Sequence, residues 1–250
     1  MDSLTLFAIE GIPQIGPGDD LPQAIFEAAQ RCCAVFEQGD ILAVCQKIVS
    51  KSEGRVRELH QVEPSALARN FAAHFDKDAR AVELVLQQAT RIVRMDRGVL
   101  IVETGPGWVC ANAGMDESNS MADDRAILLP IDPDASAARL RDGILKLAGV
   151  DVAVVITDTF GRPWREGQTE VCLGIAGMNP MLDLRGSRDM GGRELHHTVL
   201  AIADEIASAA GLLMRKDAGL PAVIVRGYHH QPYDGSARAL IRAAETDLFR

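Results

Sequence analysis

The chain has 250 residues, 47% of them hydrophobic and 24% charged, enough to bury about three-quarters of the unfolded surface without help from disulfides or structural metals. These proportions exclude disordered, collagenous and coiled-coil classes. With 26 Lys+Arg against 35 Asp+Glu, a net charge of -9 and only 4% aromatic residues, the chain also lacks the cationic and stacking surfaces that nucleic-acid binding requires.

Taken in chain order, Leu4 to Ile9 predicts a strand and Pro22 to Val35 a helix with proline in its first turn. Ile41 to Cys45 is a continuous apolar run, the pattern of a buried strand. Helical patterns follow at Pro64 to His74 and Ala79 to Ala89, then a strand pair, Val99 to Glu103 and Trp108 to Ala111, around Gly105-Pro-Gly107. Ser136 to Leu147 predicts a helix, Val152 to Thr157 a buried strand, and Val171 to Ile175 another. A long helix from Glu194 to Leu213, a strand at Ala222 to Val225 and a terminal helix from Ser236 complete the expectation. The class is α/β with mixed sheets, in a single domain whose two lobes would meet at a cleft near residues 112–134. No basic leader and no apolar run of about 18 residues is present, so no membrane association and a cytoplasmic setting are expected. The five cysteines have no zinc spacing and are expected to be reduced and mostly buried.

Phosphate-loop, dinucleotide, nucleophile-elbow and zincin motifs are absent from the sequence. Four segments carry the chemistry instead. The buried strand Val152 to Thr157 delivers Asp158 and Thr159 toward a Gly/Pro loop, a setting suited to Mg²⁺ or Mn²⁺, with Arg162 and Arg165 as planar forks for anions. Asp116 and Glu117 end a second strand, with Asn112 and Asn119 as neutral amides nearby. Lys47 and Lys51, four apart after Ile41 to Cys45, would share a helical face and offer point charges to phosphate. Arg185, Arg188 and Arg193 sit among Gly and Ser, free to converge on an anion or to pair with the interleaved carboxylates. His196-His197, at the start of the long helix, and His229-His230 are expected to be structural.

Several blocks stand in order: Glu10-Gly-Ile-Pro-Gln-Ile-Gly-Pro-Gly-Asp-Asp20, Gln46-Lys-Ile-Val-Ser-Lys-Ser-Glu-Gly-Arg55, Ala111-Asn-Ala-Gly-Met-Asp-Glu-Ser-Asn119, Leu129-Pro-Ile-Asp-Pro-Asp-Ala-Ser136, Thr157-Asp-Thr-Phe-Gly-Arg-Pro-Trp-Arg165 and Gly192-Arg-Glu-Leu195. Together they resemble the coenzyme F420-0:L-glutamate ligase, or gamma-glutamyl ligase, family. The resemblance implies a family-specific fold built as an intertwined homodimer, and a ligase that joins L-glutamate to coenzyme F420-0 at the expense of GTP through an acyl phosphate. It implies two Mg²⁺ or Mn²⁺ ions per site, with K⁺ as a stimulant. Carried over by motif, Ile12, Pro13, Gln14, Ile15, Gln46, Lys51 and Asn119 would contact GTP, Asp116 and Asp158 one metal ion, and Thr159 a second. Lys216 stands where many members carry a Glu or Gln that serves the second ion and the phosphates, and an ammonium has no lone pair for a metal. Arg162, Arg165, Arg185 and Arg188 are candidates for the glutamate carboxylates. The nitroreductase-like extension found in some members is not expected here. A metal-dependent phosphotransferase or phosphatase acting on another anion, and a non-catalytic GTP-binding protein, are the alternatives.

Overall fold

The computed structural model describes residues 3–116, 124–230 and 232–248. Its elements in chain order are β1 (Thr5–Ala8), α1 (Leu21–Arg31), β2 (Ile41–Cys45), α2 (Gln46–Ser52), β3 (Val56–Glu58), α3 (Ala66–Phe75), α4 (Ala79–Gln88), β4 (Ala89–Asp96), β5 (Val99–Thr104), β6 (Val109–Ala111) and β7 (Arg125–Ile127). Then come α5 (Pro133–Ala148), β8 (Ala153–Arg162), β9 (Arg165–Ala176), β10 (Leu182–Asp183), β11 (Val199–Leu200), α6 (Ile202–Gly211) and β12 (Ala222–Arg226). The mixed α/β class expected from the sequence is the one observed.

Among the described residues the main sheet has the order β1-β12-β2-β8-β9, and β2 with β8 is its parallel pair. Its central strands are apolar on both faces because both faces are covered. Leu42, Val44, Val154, Ile156 and Ile224 point to a core closed by α1 and α5, whose Ile25, Ala28, Leu140 and Ile144 pack there. The alternate residues Ile41, Ala43, Ala153, Val155, Val223 and Val225 point to a second core closed by α6 through Ile202, Ala203, Ile206, Ala207 and Ala210. Each buried Ile or Val is worth roughly 1.5–3 kcal/mol of transfer free energy, so this three-layer sandwich dominates stability. Local signals set the ends of its helices. Asp20 accepts from the Gln23 amide at 3.1 Å and Asp132 from the Ala135 amide at 3.0 Å, each cap preceding a proline in the first turn. Gly149 closes α5 in the left-handed region at φ 71°.

Residues 46–152, between the parallel strands, hold the antiparallel sheet β4-β5-β6, with α3 and α4 packed on it through Phe71, Val82, Val85, Leu100 and Val102. β4 was not expected. Its register shifts between Ala89 and Arg91 and between Ile92 and Arg94 break the two-residue alternation that would have marked it.

Four expectations are corrected. β8 does not end at Thr157 but runs to Arg162, paired with β9 as far as Arg162↔Arg165, so Asp158 and Thr159 sit in a strand rather than in a loop. The apolar signal stops where the hairpin leaves the two cores, while the backbone ladder continues. The long helix from Glu194 shrinks to α6, because residues 184–198 form a hairpin-like loop in which Gly186 N–H donates to Leu195 O at 2.8 Å and Leu195 N–H to Ser187 O at 2.9 Å. His196 and His197 therefore lie in that loop and start no helix. The terminal helix is replaced by two short 3₁₀ turns, Ala237–Leu240 and Ala244–Thr246. Asp134 anchors the first by accepting from Ser236 Oγ at 2.5 Å and the Ala237 amide at 3.1 Å, and Leu240 and Ile241 pack on the second core without a longer helix. Cys110 and Cys172 are buried, Cys32 and Cys45 half-buried and Cys33 exposed, so fewer thiols are buried than expected; all are free. Among the described residues no helix is long and apolar enough to cross a membrane.

Candidate active site

The parallel pairing Cys45↔Thr157 puts the carboxyl end of β2 beside the middle of β8, where β8 runs on past its partner. The residues that follow, the α2 segment after Cys45 and Asp158-Thr159 after Thr157, thus enter one space, the position at which open α/β sheets bind ligands. That space is a cavity of about 900 Å³. The segment after β1 forms a second wall. It is held in place by the Arg31 guanidinium on Gly11 O at 3.0 Å, by Asp19 on the Gly16 amide at 2.7 Å and by Gly18 N–H on Ser52 O at 2.8 Å, and it lays Ile12, Pro13, Gln14 and Ile15 along the cavity. β5 and β6 supply Ile101, Val109 and Cys110 from the opposite side, and Asp116 follows, fixed by paired backbone hydrogen bonds with Ile127 at 3.0 and 3.1 Å.

Ile12, Pro13, Gln14, Ile15, Gln46, Lys51, Asp116, Asp158, Thr159, Arg162 and Lys216 all line this one cavity. Asn119 and Glu117 lie outside the described residues. Arg165, Arg185 and Arg188 do not line it. Arg185 instead pairs with Asp183 at 2.5 Å, and Arg188 donates to Gly192 O at 2.8 Å. Arg162 donates to Glu166 O at 2.5 Å within its own hairpin.

α2 begins directly after β2. Gln46 is buried and accepts from Ser50 Oγ at 2.8 Å, while Lys47 and Lys51 reach the cavity. The Lys47 ammonium sits 2.5 Å from Asp116 Oδ2, with side chains only 22% and 14% exposed. Burial pushes the Asp158 carboxyl up to about 7; the negative charges of Glu170 and Asp116 add to this, and the Thr159 amide and the Lys216 ammonium oppose it. Burial likewise pushes the Cys45 and Cys110 thiols up to about 12, so neither is a nucleophile at neutral pH.

Sequence reasoning missed Glu170. It stands opposite Thr159 in the β8/β9 register and lines the same cavity. The Thr159 hydroxyl donates to its Oε1 at 2.5 Å, whereas Oε2 is buried and has no hydrogen-bond partner. The available signal was a lone carboxylate just before the apolar run Val171 to Ile175, across a hairpin from Asp158.

These groups suit a divalent cation. Asp116 and Asp158 share the cavity, a lysine ammonium already rests on one of them, Asp158 is held against ionisation by burial, and a buried carboxylate oxygen is left without a donor. Among the described residues no three His, Cys, Asp or Glu side chains gather about one point. Mg²⁺ takes one or two protein carboxylates and completes its shell with water and phosphate.

Residues 11–227 match the family model described as F420-0:Gamma-glutamyl ligase. The chain belongs to this family. It is 42% identical over 250 residues to the coenzyme F420:L-glutamate ligase of Methanothermobacter thermautotrophicus, covering 99% of both chains, and 45% identical over 258 residues to that of Methanopyrus kandleri, covering all of both. The Archaeoglobus fulgidus ligase is 42% identical over 246 residues, covering 98% of this chain and 96% of its own. As a gamma-glutamyl ligase family member, the chain is an enzyme of the ligase class. Its cavity draws on segments spread from Ile12 to Pro221, nearly the whole span of the family match.

Proposed function

We propose that this enzyme joins L-glutamate to the terminal carboxylate of coenzyme F420-0 at the expense of GTP, forming an amide and releasing GDP and phosphate. The observation that carries it is the convergence of the segments after β1, β2 and β6 and of the outer half of β8 on a single cavity whose volume lies at the upper end of ligand pockets, with room for a nucleotide beside a second substrate. Ile12 to Ile15 and Gln46 contact the nucleotide, and Lys51 sets a point charge against its phosphates. Asp116 and Asp158 hold one divalent ion, and Thr159 takes part in holding a second. When bound, Mg²⁺ or Mn²⁺ supplies neutralisation of phosphate charge and alignment of the transferring group.

The substrate carboxylate attacks the γ-phosphorus of GTP, the bond to GDP breaks, and an acyl phosphate forms. The amine of glutamate then attacks the acyl carbon, phosphate departs, and the amine gives up its proton. Phosphoryl transfer asks the protein chiefly for position and charge. The sandwich provides the first by fixing β2 and β8 in register. Lys51 and Arg162 provide fixed positive charge in the cavity that phosphate and carboxylate groups enter, offsetting a surface that is acidic overall.

A homodimer belongs to the same proposal. Trp164, 80% exposed at the tip of the β8–β9 hairpin, and fully exposed Met190 in the loop between β10 and β11 are apolar side chains that a second copy would cover.

The test is incubation of the purified protein with F420-0, L-glutamate, GTP and Mn²⁺, read by mass spectrometry. Mass gains of one or more glutamyl units are expected. Phosphate release without glutamate consumption would replace the ligase with a phosphatase or phosphotransferase, and GTP binding without turnover would replace it with a binding protein.

A further inference from the structure

Glu170 is held in place with unusual care for a side chain that leaves one carboxylate oxygen unused. Its backbone carbonyl accepts from Ser208 Oγ on α6 at 2.9 Å, and Ser208 Oγ is also 2.9 Å from Thr169 Oγ1. Its stem lies on α6 where the helix has Gly211; a Cβ there would fall 2.6 Å from Glu170 Cγ, so only glycine leaves the room. At the tip, Oε1 accepts the Thr159 hydroxyl at 2.5 Å. Because that hydroxyl spends its proton on Glu170, the Thr159 oxygen keeps its lone pairs for another partner. Oε2 is buried and no donor reaches it. A buried carboxylate oxygen with no donor is costly and calls for a partner outside the polypeptide. The cavity holds Lys216 at the place where a carboxylate or amide ligand was expected, and no three acidic side chains among the described residues gather about one point. Glu170 stands opposite Thr159, not Asp158, in the β8/β9 register, and lines the cavity that Asp116 and Asp158 also line.

We propose that Glu170 Oε2, beside the Thr159 hydroxyl, is the carboxylate ligand of the second divalent ion, supplying what Lys216 cannot. The proposal rests on the two-ion reading given under Proposed function. The competing account, in which Glu170 merely accepts the Thr159 hydrogen bond, is separated by Glu170→Gln, since the amide oxygen accepts the same bond but the negative charge is gone.

The experiment is Mn²⁺ titration of the full chain in the presence of GDP, followed by electron paramagnetic resonance of free Mn²⁺, with thermal unfolding in chelator to show that wild type and variant fold alike. Two ions per chain are expected for wild type, and for Glu170→Gln one ion of unchanged affinity with the second weakened at least tenfold. Two ions of unchanged affinity in Glu170→Gln would overturn the role of Glu170 and leave the two-ion reading standing. One ion in wild type would overturn the second site but not the first. None in wild type would overturn the metal reading as a whole. Should Glu170→Gln unfold early, Thr159→Val provides the second variant: it removes the hydroxyl ligand, and a second ion of unchanged affinity there overturns the shared site.

Discussion

Replacing Lys47 with methionine separates what this residue does for the metal-free protein from what it does to the metal. The Nζ–Oδ2 distance to Asp116 is 2.5 Å, and both side chains are largely shielded from water. Charged hydrogen bonds of this kind contribute about 1.5–3 kcal/mol net once desolvation is subtracted. A cation that binds Asp116 in the absence of nucleotide must displace the ammonium and give up that contribution. Methionine keeps the reach of the stem and removes the charge. At about 1.4 kcal/mol per factor of ten, Mn²⁺ should bind Lys47→Met roughly tenfold to a hundredfold more tightly than wild type when no nucleotide is present. The same change removes a counter-charge from a half-buried carboxylate, so the variant should melt earlier in chelator and gain more from added Mn²⁺. Mn²⁺ titration of chelator-stripped, nucleotide-free protein, paired with thermal unfolding, reads both signs. Unchanged or weaker Mn²⁺ binding in the variant would refute the argument that Lys47 and the metal compete for Asp116.

Other consequences are equally direct. In the metal-stripped protein the Asp158 carboxyl sits near 7, above the ordinary carboxylate value of about 4. Its contribution to stability is full below about pH 4 and is lost as pH rises through about 7. Urea unfolding at pH 5 and pH 8 should show this loss in wild type and not in Asp158→Asn; equal slopes would disprove it. Gly174→Ala would bring a Cβ to 2.3 Å from Pro133 O, a backbone atom at the start of α5. It should cost at least about 1–3 kcal/mol, and an unchanged urea midpoint would show that β9 and α5 can part at no cost. Ile156→Ala, in the α1/α5 core and fully buried, should cost about 2–5 kcal/mol in the same assay, and a loss below 1 kcal/mol would mean that the sheet collapses around the gap.

The parts of this protein that could be read from its sequence are those where one physical cause acts alone. β2 was found to the residue because burial on both faces leaves an unbroken apolar run from Ile41 to Cys45. The inner half of β8 was found for the same reason. Its outer half was not, since Asp158 to Arg162 is polar and is held in the strand only by pairing with β9, a long-range fact that no local window contains. In the site, Asp116, Asp158, Thr159 and Lys51 were legible through motifs and do share one cavity. Of the three arginines within nine positions, for which the sequence left convergence on an anion and pairing with nearby carboxylates both open, Arg185 takes the second course and pairs with Asp183 two residues away. Glu170 could be marked only as a lone carboxylate before an apolar run, because its partner Thr159 lies eleven residues back and the hairpin sequence between them does not show which side chains face each other.

The place of β12 carries a consequence for how the protein is made. This strand, Ala222–Arg226, lies between β1 and β2, and β1 has no other partner in the sheet. A ribosome delivers β1 first and β12 more than two hundred residues later, so the N-terminal strand must wait, unpaired, for almost the entire chain to emerge. Neither core can close before then, as Ile224 belongs to one and Val223 and Val225 to the other. A nascent chain stalled before Ala222 would hold nearly every cavity residue named above, yet β1 would be unpaired and both cores would lack their β12 side chains. Premature termination in this stretch should therefore yield material for proteolysis rather than a weakened enzyme.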